Sequence, residues 1–162
     1  MPIDANLILL NVEALDSGND GNGSGSDSTS APGAVIDVPE GKEAAVVVRL
    51  GEPSSDPPAD AATLDLGVEV SVDGGSTWKD FITFRQITGD EVNLIDESTG
   101  SKTVVLAAKG VLPLADSGQS NQVKLRPTSV ASTTTNWAVH MSVVDPTNTR
   151  QDWYDEAFVE NA

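Results

Sequence analysis

Residues 63–84 read TLDLGVEVSVDGGSTWKDFITF, and this stretch decides the fold. In its first half Leu64, Leu66, Val68, Val70 and Val72 alternate with Asp65, Gly67, Glu69, Ser71 and Asp73. A period of two puts every apolar residue on one side of an extended chain, whereas a helix would scatter the same residues around its axis. The segment is therefore a strand with one buried face. The run then breaks at Asp73-Gly74-Gly75. Glycines accept positive φ in a tight turn, and an aspartate carboxylate can take backbone N–H groups across it. The apolar pattern resumes at Trp78, so the reading is a hairpin with Trp78 over its base.

The same period recurs on both sides of this hairpin. Ala44, Val46, Val48 and Leu50 repeat it with Glu43 and Arg49 outward, and Trp137, Val139, Met141 and Val143 repeat it with His140 and Ser142 between them. Weaker candidates lie at 7–14, 34–38, 78–87, 102–108 and 122–129. About eight strands joined by turn-rich connections predict an all-β fold, an antiparallel β-sandwich or jelly-roll-like barrel. Pro127 carries no N–H, so its strand is expected at an edge or interrupted there. No segment has a convincing helical period, and 152–159 has room for one short turn.

Residues 1–144 are expected to form a single β-sandwich domain. Within it, residues 16–32 (DSGNDGNGSGSDSTSAP) read as a flexible loop too polar and Gly-rich to bury itself. Residues 52–62 (EPSSDPPADAA) are a second connection, acidic and Pro-rich. Residues 145–162 form a C-terminal tail or arm. Trp153, Tyr154 and Phe158 lie there, three of the few aromatics in a chain with three Trp, one Tyr and three Phe. Aromatic side chains bury much area each, which makes these three a candidate interface, either on the chain's own sandwich or on a neighbouring subunit.

Charge narrows the function classes. Nine basic residues against 25 acidic ones give a formal charge of −16. Nucleic acid is bound chiefly through Lys and Arg displacing counterions, so no nucleic-acid partner is expected. An anionic membrane surface would repel the chain for the same reason. The chain has no cysteine, which removes disulfides and thiolate metal sites. The first residues lack a basic n-region, and the apolar run 7–10 is too short for a signal core or a membrane span.

Specific chemical signals are few. Residues 71–78, SVDGGSTW, match the Asp-box pattern S-x-D-x-G-x-T-W and so resemble a motif of sialidases and related propellers. In that family the motif is structural and recurs in several copies. This chain has one copy, so Asp73, Gly74, Gly75 and Trp78 are read as a structural hairpin with no catalytic role. Asp16, Asn19, Asp20, Asn22 and Asp27 supply oxygen atoms among glycines, as Ca²⁺ would require. Their spacing does not fit an EF-hand, and the expectation is a solvated loop with calcium as the alternative. His140 is the only histidine. It would need further nitrogen or sulfur ligands to hold zinc, and no G-x-S-x-G elbow accompanies it for a hydrolase triad. No P-loop or dinucleotide fingerprint occurs. No catalytic residues, cofactor or metal are assigned.

The pattern as a whole, from LILLNVEAL through GKEAAVVVRLG and TLDLGVEVSVDGGSTWKDFITF to WAVHMSVV, resembles the small β-sandwich decoration or cement proteins of tailed bacteriophage capsids. That resemblance implies a non-enzymatic virion protein on the outer capsid surface, assembled in the host cytoplasm. Its implied partners are the major capsid protein and itself, as a homotrimer. The alternatives are a phage tail structural protein and a carbohydrate-binding β-sandwich module.

Overall fold

In the computed structural model the described residues are 7–22, 33–51, 53, 55–93 and 104–144. They form ten strands and one short helix: β1 (Ile8–Leu15), β2 (Gly21–Asn22), β3 (Ile36–Pro39), β4 (Glu43–Gly51), β5 (Thr63–Ser71), β6 (Lys79–Thr83), β7 (Ile87–Thr88), α1 (Gly89–Asn93), β8 (Val104–Val111), β9 (Gln122–Ala131) and β10 (Trp137–Val144). The candidate strands of the sequence all recur here with shifted ends, apart from the stretch 78–87, which splits into β6 and β7. The chain is an all-β sandwich of two antiparallel sheets.

The first sheet has the order β1-β10-β4-β8. In the second, β9 and β5 are central, with β2 and β3 sharing one flank of β9 and β6 and β7 sharing one flank of β5. Taking each shared flank as one position leaves eight positions along the chain, and the sheets then run 1-8-3-6 and 2-7-4-5. This is the strand order of a jelly roll, two Greek keys folded face to face. Long-range antiparallel pairing of this kind lets every strand present an alternating face to one core.

The inner faces of both sheets meet in that core. Leu64, Leu66, Val68 and Val70 of β5 oppose Val46, Val48 and Leu50 of β4, with Leu106, Leu125, Met141 and Trp137 between and around them. Trp137 is fully buried, and its indole N–H has no hydrogen-bond acceptor among the described residues. Burial of a ring of this size stabilises the fold even with that donor unmet, because the apolar area removed from water outweighs one lost bond.

Three readings of the sequence gain detail on the structure. Of the two places expected for Pro127, the structure gives the second: β9 is central, with Pro127 opposite Val68 of β5, and its ladder on the other flank is interrupted there. The strand tolerates proline because its other flank is divided. The described ladder there covers 122–125 with β3 and 128–129 with β2, and breaks at Arg126 and Pro127. Within the polar 16–32 segment, the described residues 16–22 make local hydrogen bonds and one short pairing. Asp16 Oδ1 accepts the Gly18 N–H at 2.7 Å, Asn19 Oδ1 accepts the Asp16 N–H at 2.8 Å, and Gly21–Asn22 pairs with β9. Finally, α1 is a helix the periodicity gave no sign of. Thr88 precedes it, and Glu91 Oε2 accepts the Thr88 N–H at 2.8 Å, the reciprocal half of a capping box. The short-helix expectation at 152–159 and the candidate interface Trp153, Tyr154 and Phe158 lie outside the described residues.

Candidate functional site

The hairpin between β5 and β6 is the most tightly specified piece of surface. Asp73 Oδ1 accepts the Ser71 hydroxyl at 2.7 Å, the Ser76 N–H at 3.0 Å and the Thr77 N–H at 2.8 Å. Its Oδ2 accepts the Thr77 hydroxyl at 2.6 Å. Ser71 Oγ in turn accepts the Gly75 N–H at 2.8 Å, and the Trp78 indole N–H donates to the Gly75 carbonyl at 3.1 Å. Gly74 and Gly75 hold φ of 77° and 98°, a region that costs a side-chain-bearing residue strain. Every donor to the Asp73 carboxylate comes from within seven residues of sequence, so the turn is self-contained.

Those bonds set its charge. The Thr77 hydroxyl and N–H, then the Ser71 hydroxyl and the Ser76 N–H, hold the Asp73 carboxyl well below the usual carboxylate range. A group this acidic is a poor general base near neutral pH. Both of its oxygens are already engaged, so the arrangement organises a turn.

Beneath the hairpin lies a charged lattice on the outer face of the second sheet. Glu69 and Arg126 are direct cross-strand partners, and Arg126 Nε donates to Glu69 Oε2 at 2.6 Å. The guanidinium also stacks on the Trp78 ring, 4.3 Å from its centroid. The Arg126 side chain is only 7% exposed, so this is a charge held in place by a carboxylate and an aromatic face together. One row on, Lys124 Nζ pairs with Asp37 at 2.7 Å. Gly67 is needed beside them, since a Cβ there would come within 2.9 Å of both the Ile82 carbonyl and the Thr128 hydroxyl. Trp78 is thus half-buried against a cation and does not stand free as a flat platform.

Sequence reasoning located Asp73, Gly74, Gly75 and Trp78, and the structure brings them together in one turn. It missed Arg126 and Glu69. The signal for that pair is their register, which only the β5–β9 pairing reveals.

The remaining candidates are separate from this site. Asp16 and Asn19 are engaged in their own turn, and Asp20 Oδ2 accepts the Ala131 N–H at 2.8 Å. Asp27 and the Asn22 side chain lie outside what the structure describes. Among the described residues no three His, Cys, Asp or Glu side chains gather as a metal group. His140 sits on the outer face of the other sheet, between Asn11 of β1 and Arg49 of β4. Burial, and then the nearby Arg49 charge, push its imidazole down from its ordinary value.

No family model, curated protein or solved structure matches the chain.

Proposed function

We propose that the chain is a non-enzymatic virion structural protein that decorates the outer surface of a phage head and stabilises it, seated on the major capsid protein as a homotrimer. The observation that carries this reading is the strand order, because jelly rolls are recurrent in viral capsid proteins, lectins and cupins. A fold alone serves many functions, so the site chemistry has to choose among them. A cupin-like metal centre built on histidines cannot be assembled from a single histidine. A lectin-like site favours an exposed aromatic on a rigid face, whereas Trp78 is stacked under Arg126. The most ordered polar cluster, around Asp73, is consumed in holding its own turn.

Charge fits the same role. A formal charge of −16 keeps a protein soluble at high local concentration and keeps it off the packaged genome. Contact with the shell then falls to apolar groups. Val111 and Leu114, 67% and 72% exposed, stand at the end of the sandwich where the turn 40–42 is hydrogen-bonded to residues 112–115. Such a contact is small, and three copies acting together would multiply it.

The test is co-sedimentation with shells assembled from a major capsid protein identified by sequencing the genes that flank this one. Saturable binding and a higher shell melting temperature are expected, and V111S/L114S should weaken binding about tenfold or more, a loss of roughly 1.4 kcal/mol. Shells that neither bind the protein nor gain stability from it would overturn the reading.

A further inference from the structure

β5 and β9 form the middle of the second sheet, yet no turn sets their register. A hairpin turn fixes the register of the strands it joins, but β6, β7, α1 and β8 lie between these two in the chain. Their inner faces settle only part of the alignment. A slip of one residue would turn Leu64, Leu66, Val68 and Val70 away from the core in which they are buried. A slip of two residues would leave them inside, still against the buried Val123, Leu125, Ser129 and Ala131 of β9. The neighbouring ladders help least at the middle of the pair. The β5–β6 ladder shifts between Val68 and Glu69, the ladders on the other flank of β9 break at Arg126 and Pro127, and proline has no N–H to give. These interruptions fall at one level of the sheet, since Val68 faces Pro127 and Glu69 faces Arg126.

We infer that the Glu69–Arg126–Trp78 cluster is a register lock, the device that holds β5 and β9 in one alignment across this line. Arg126 meets two marks on the β5–β6 hairpin at once. Its Nε donates to Glu69 Oε2 at 2.6 Å, and its guanidinium lies 4.3 Å from the centroid of the Trp78 ring, which the Gly75 carbonyl holds at the base of the turn. A two-residue slip would carry Arg126 about 7 Å along the strand, out of reach of both. One direction would set it opposite Gly67 and the other opposite Ser71, neither of which has a carboxylate. The first would bring Lys124 opposite Glu69, but a guanidinium whose side chain is only 7% exposed would still be left without its partner. That penalty falls on both two-residue slips and spares the native alignment. A buried ion pair adds little stability over apolar residues of the same volume, so its effect here is on which alignment forms.

The chain has no cysteine, so introduced thiols report the alignment. Asp65 faces Val130, and a two-residue slip would bring Thr128 or Ser132 opposite it instead. Initial rates of cross-linking by glutathione disulfide are measured for D65C/V130C, D65C/T128C and D65C/S132C. Each pair is placed in the full parent chain, in E69M/R126L and in E69R/R126E. All three pairs carry the same change at Asp65, so its lost bond to Gln86 cancels between them. In the parent, D65C/V130C should cross-link fast and the other two slowly. In E69M/R126L at least one slipped pair should speed up about tenfold or more, with strand content unchanged by circular dichroism. Reversing the ion pair in E69R/R126E should bring the slipped rates back down. Slipped rates in E69M/R126L equal to the parent's overturn the inference, as do slipped rates in E69R/R126E as high as in E69M/R126L. Loss of strand content in E69M/R126L overturns it too, because the pair would then supply stability and not alignment. None of these outcomes bears on shell binding, so the two proposals fail separately.

Discussion

The two sheets bury similar inner faces and differ in what they turn outward. The outer face of β9 and β5 is polar: Glu69 pairs with Arg126, Lys124 with Asp37, and the Gln86 amide with Asp65. The outer face of β4, β8 and β10 has at its middle Ala45, Val47, Ala107, Ser142 and Val144, all buried, with Arg49, Lys109 and His140 around them. One face is finished by its own side chains, and the other needs something laid over it. The difference explains a feature of the sequence: β5 alternates cleanly, whereas β4 runs Glu-Ala-Ala-Val-Val-Val-Arg-Leu-Gly with apolar residues on both sides. A strand covered on both faces reads as a continuous apolar run.

The largest expected effect lies where the two sheets share a core. Trp137→Ala should cost about 3–5 kcal/mol in urea unfolding, as deletion of a buried aromatic does. Trp137→Phe should cost far less, because the indole N–H has no partner among the described residues to lose. A loss for the phenylalanine equal to that for the alanine would mean the ring's polar edge is engaged after all.

On the polar face, Glu69→Ala should cost about 1.5–3 kcal/mol, since it removes the carboxylate to which the buried Arg126 Nε donates. Replacing both residues by apolar ones of similar volume should recover much of that loss. If Glu69→Ala is neutral, this face is held by packing alone and the contrast between the sheets disappears.

Strong acid should act on this half of the molecule. The Asp73 carboxyl is held below its ordinary value by the Thr77, Ser71 and Ser76 donors. Burial works against the Glu91 charge, but hydrogen bonds from Arg85 and Thr88 and the Arg85 charge hold it below its ordinary 4.5. A carboxyl with a depressed folded value binds fewer protons folded than unfolded. Its contribution is therefore full above about pH 4.5 and is lost as pH falls through the folded value. Asp73→Asn should lower the melting temperature at neutral pH and flatten its fall below pH 4. An acid limb identical to the parent's would show that the hairpin carboxylate contributes nothing.

The smallest effect is at His140, on the covered face. Its folded value is depressed from 6.5, so folding is penalised as pH drops below about 6.5, where the unfolded chain takes up a proton the folded one resists. His140→Gln should remove a shallow slope in the urea midpoint between pH 5 and 7. A slope of opposite sign would place the imidazole beside a carboxylate and not in the field of Arg49.

The strands were legible because alternation is a local property, and so was the Asp73 turn, whose donors all lie within 71–77. The Arg126–Glu69–Trp78 cluster was not, because it joins residues 57 positions apart in sequence and exists only once β5 and β9 are in register. Pro127 was half legible: proline marks a local break in pairing, as the sequence indicated, and only the split between β2 and β3 places that break inside a central strand. The short α1 left a capping box at Thr88 and Glu91 but no period, since five residues are too few to show one.

The contrast between the two outer faces can be measured directly by solvent paramagnetic relaxation enhancement on methyl groups of the full chain. Val130, 61% exposed on the polar side, should be strongly enhanced. Val47, Ala45 and Ala107 should be enhanced as weakly as the core residues Val46 and Leu64. Enhancement of Val47 and Ala107 equal to that of Val130 would mean that both sheets face water alike, and the account of one finished and one covered face would be contradicted.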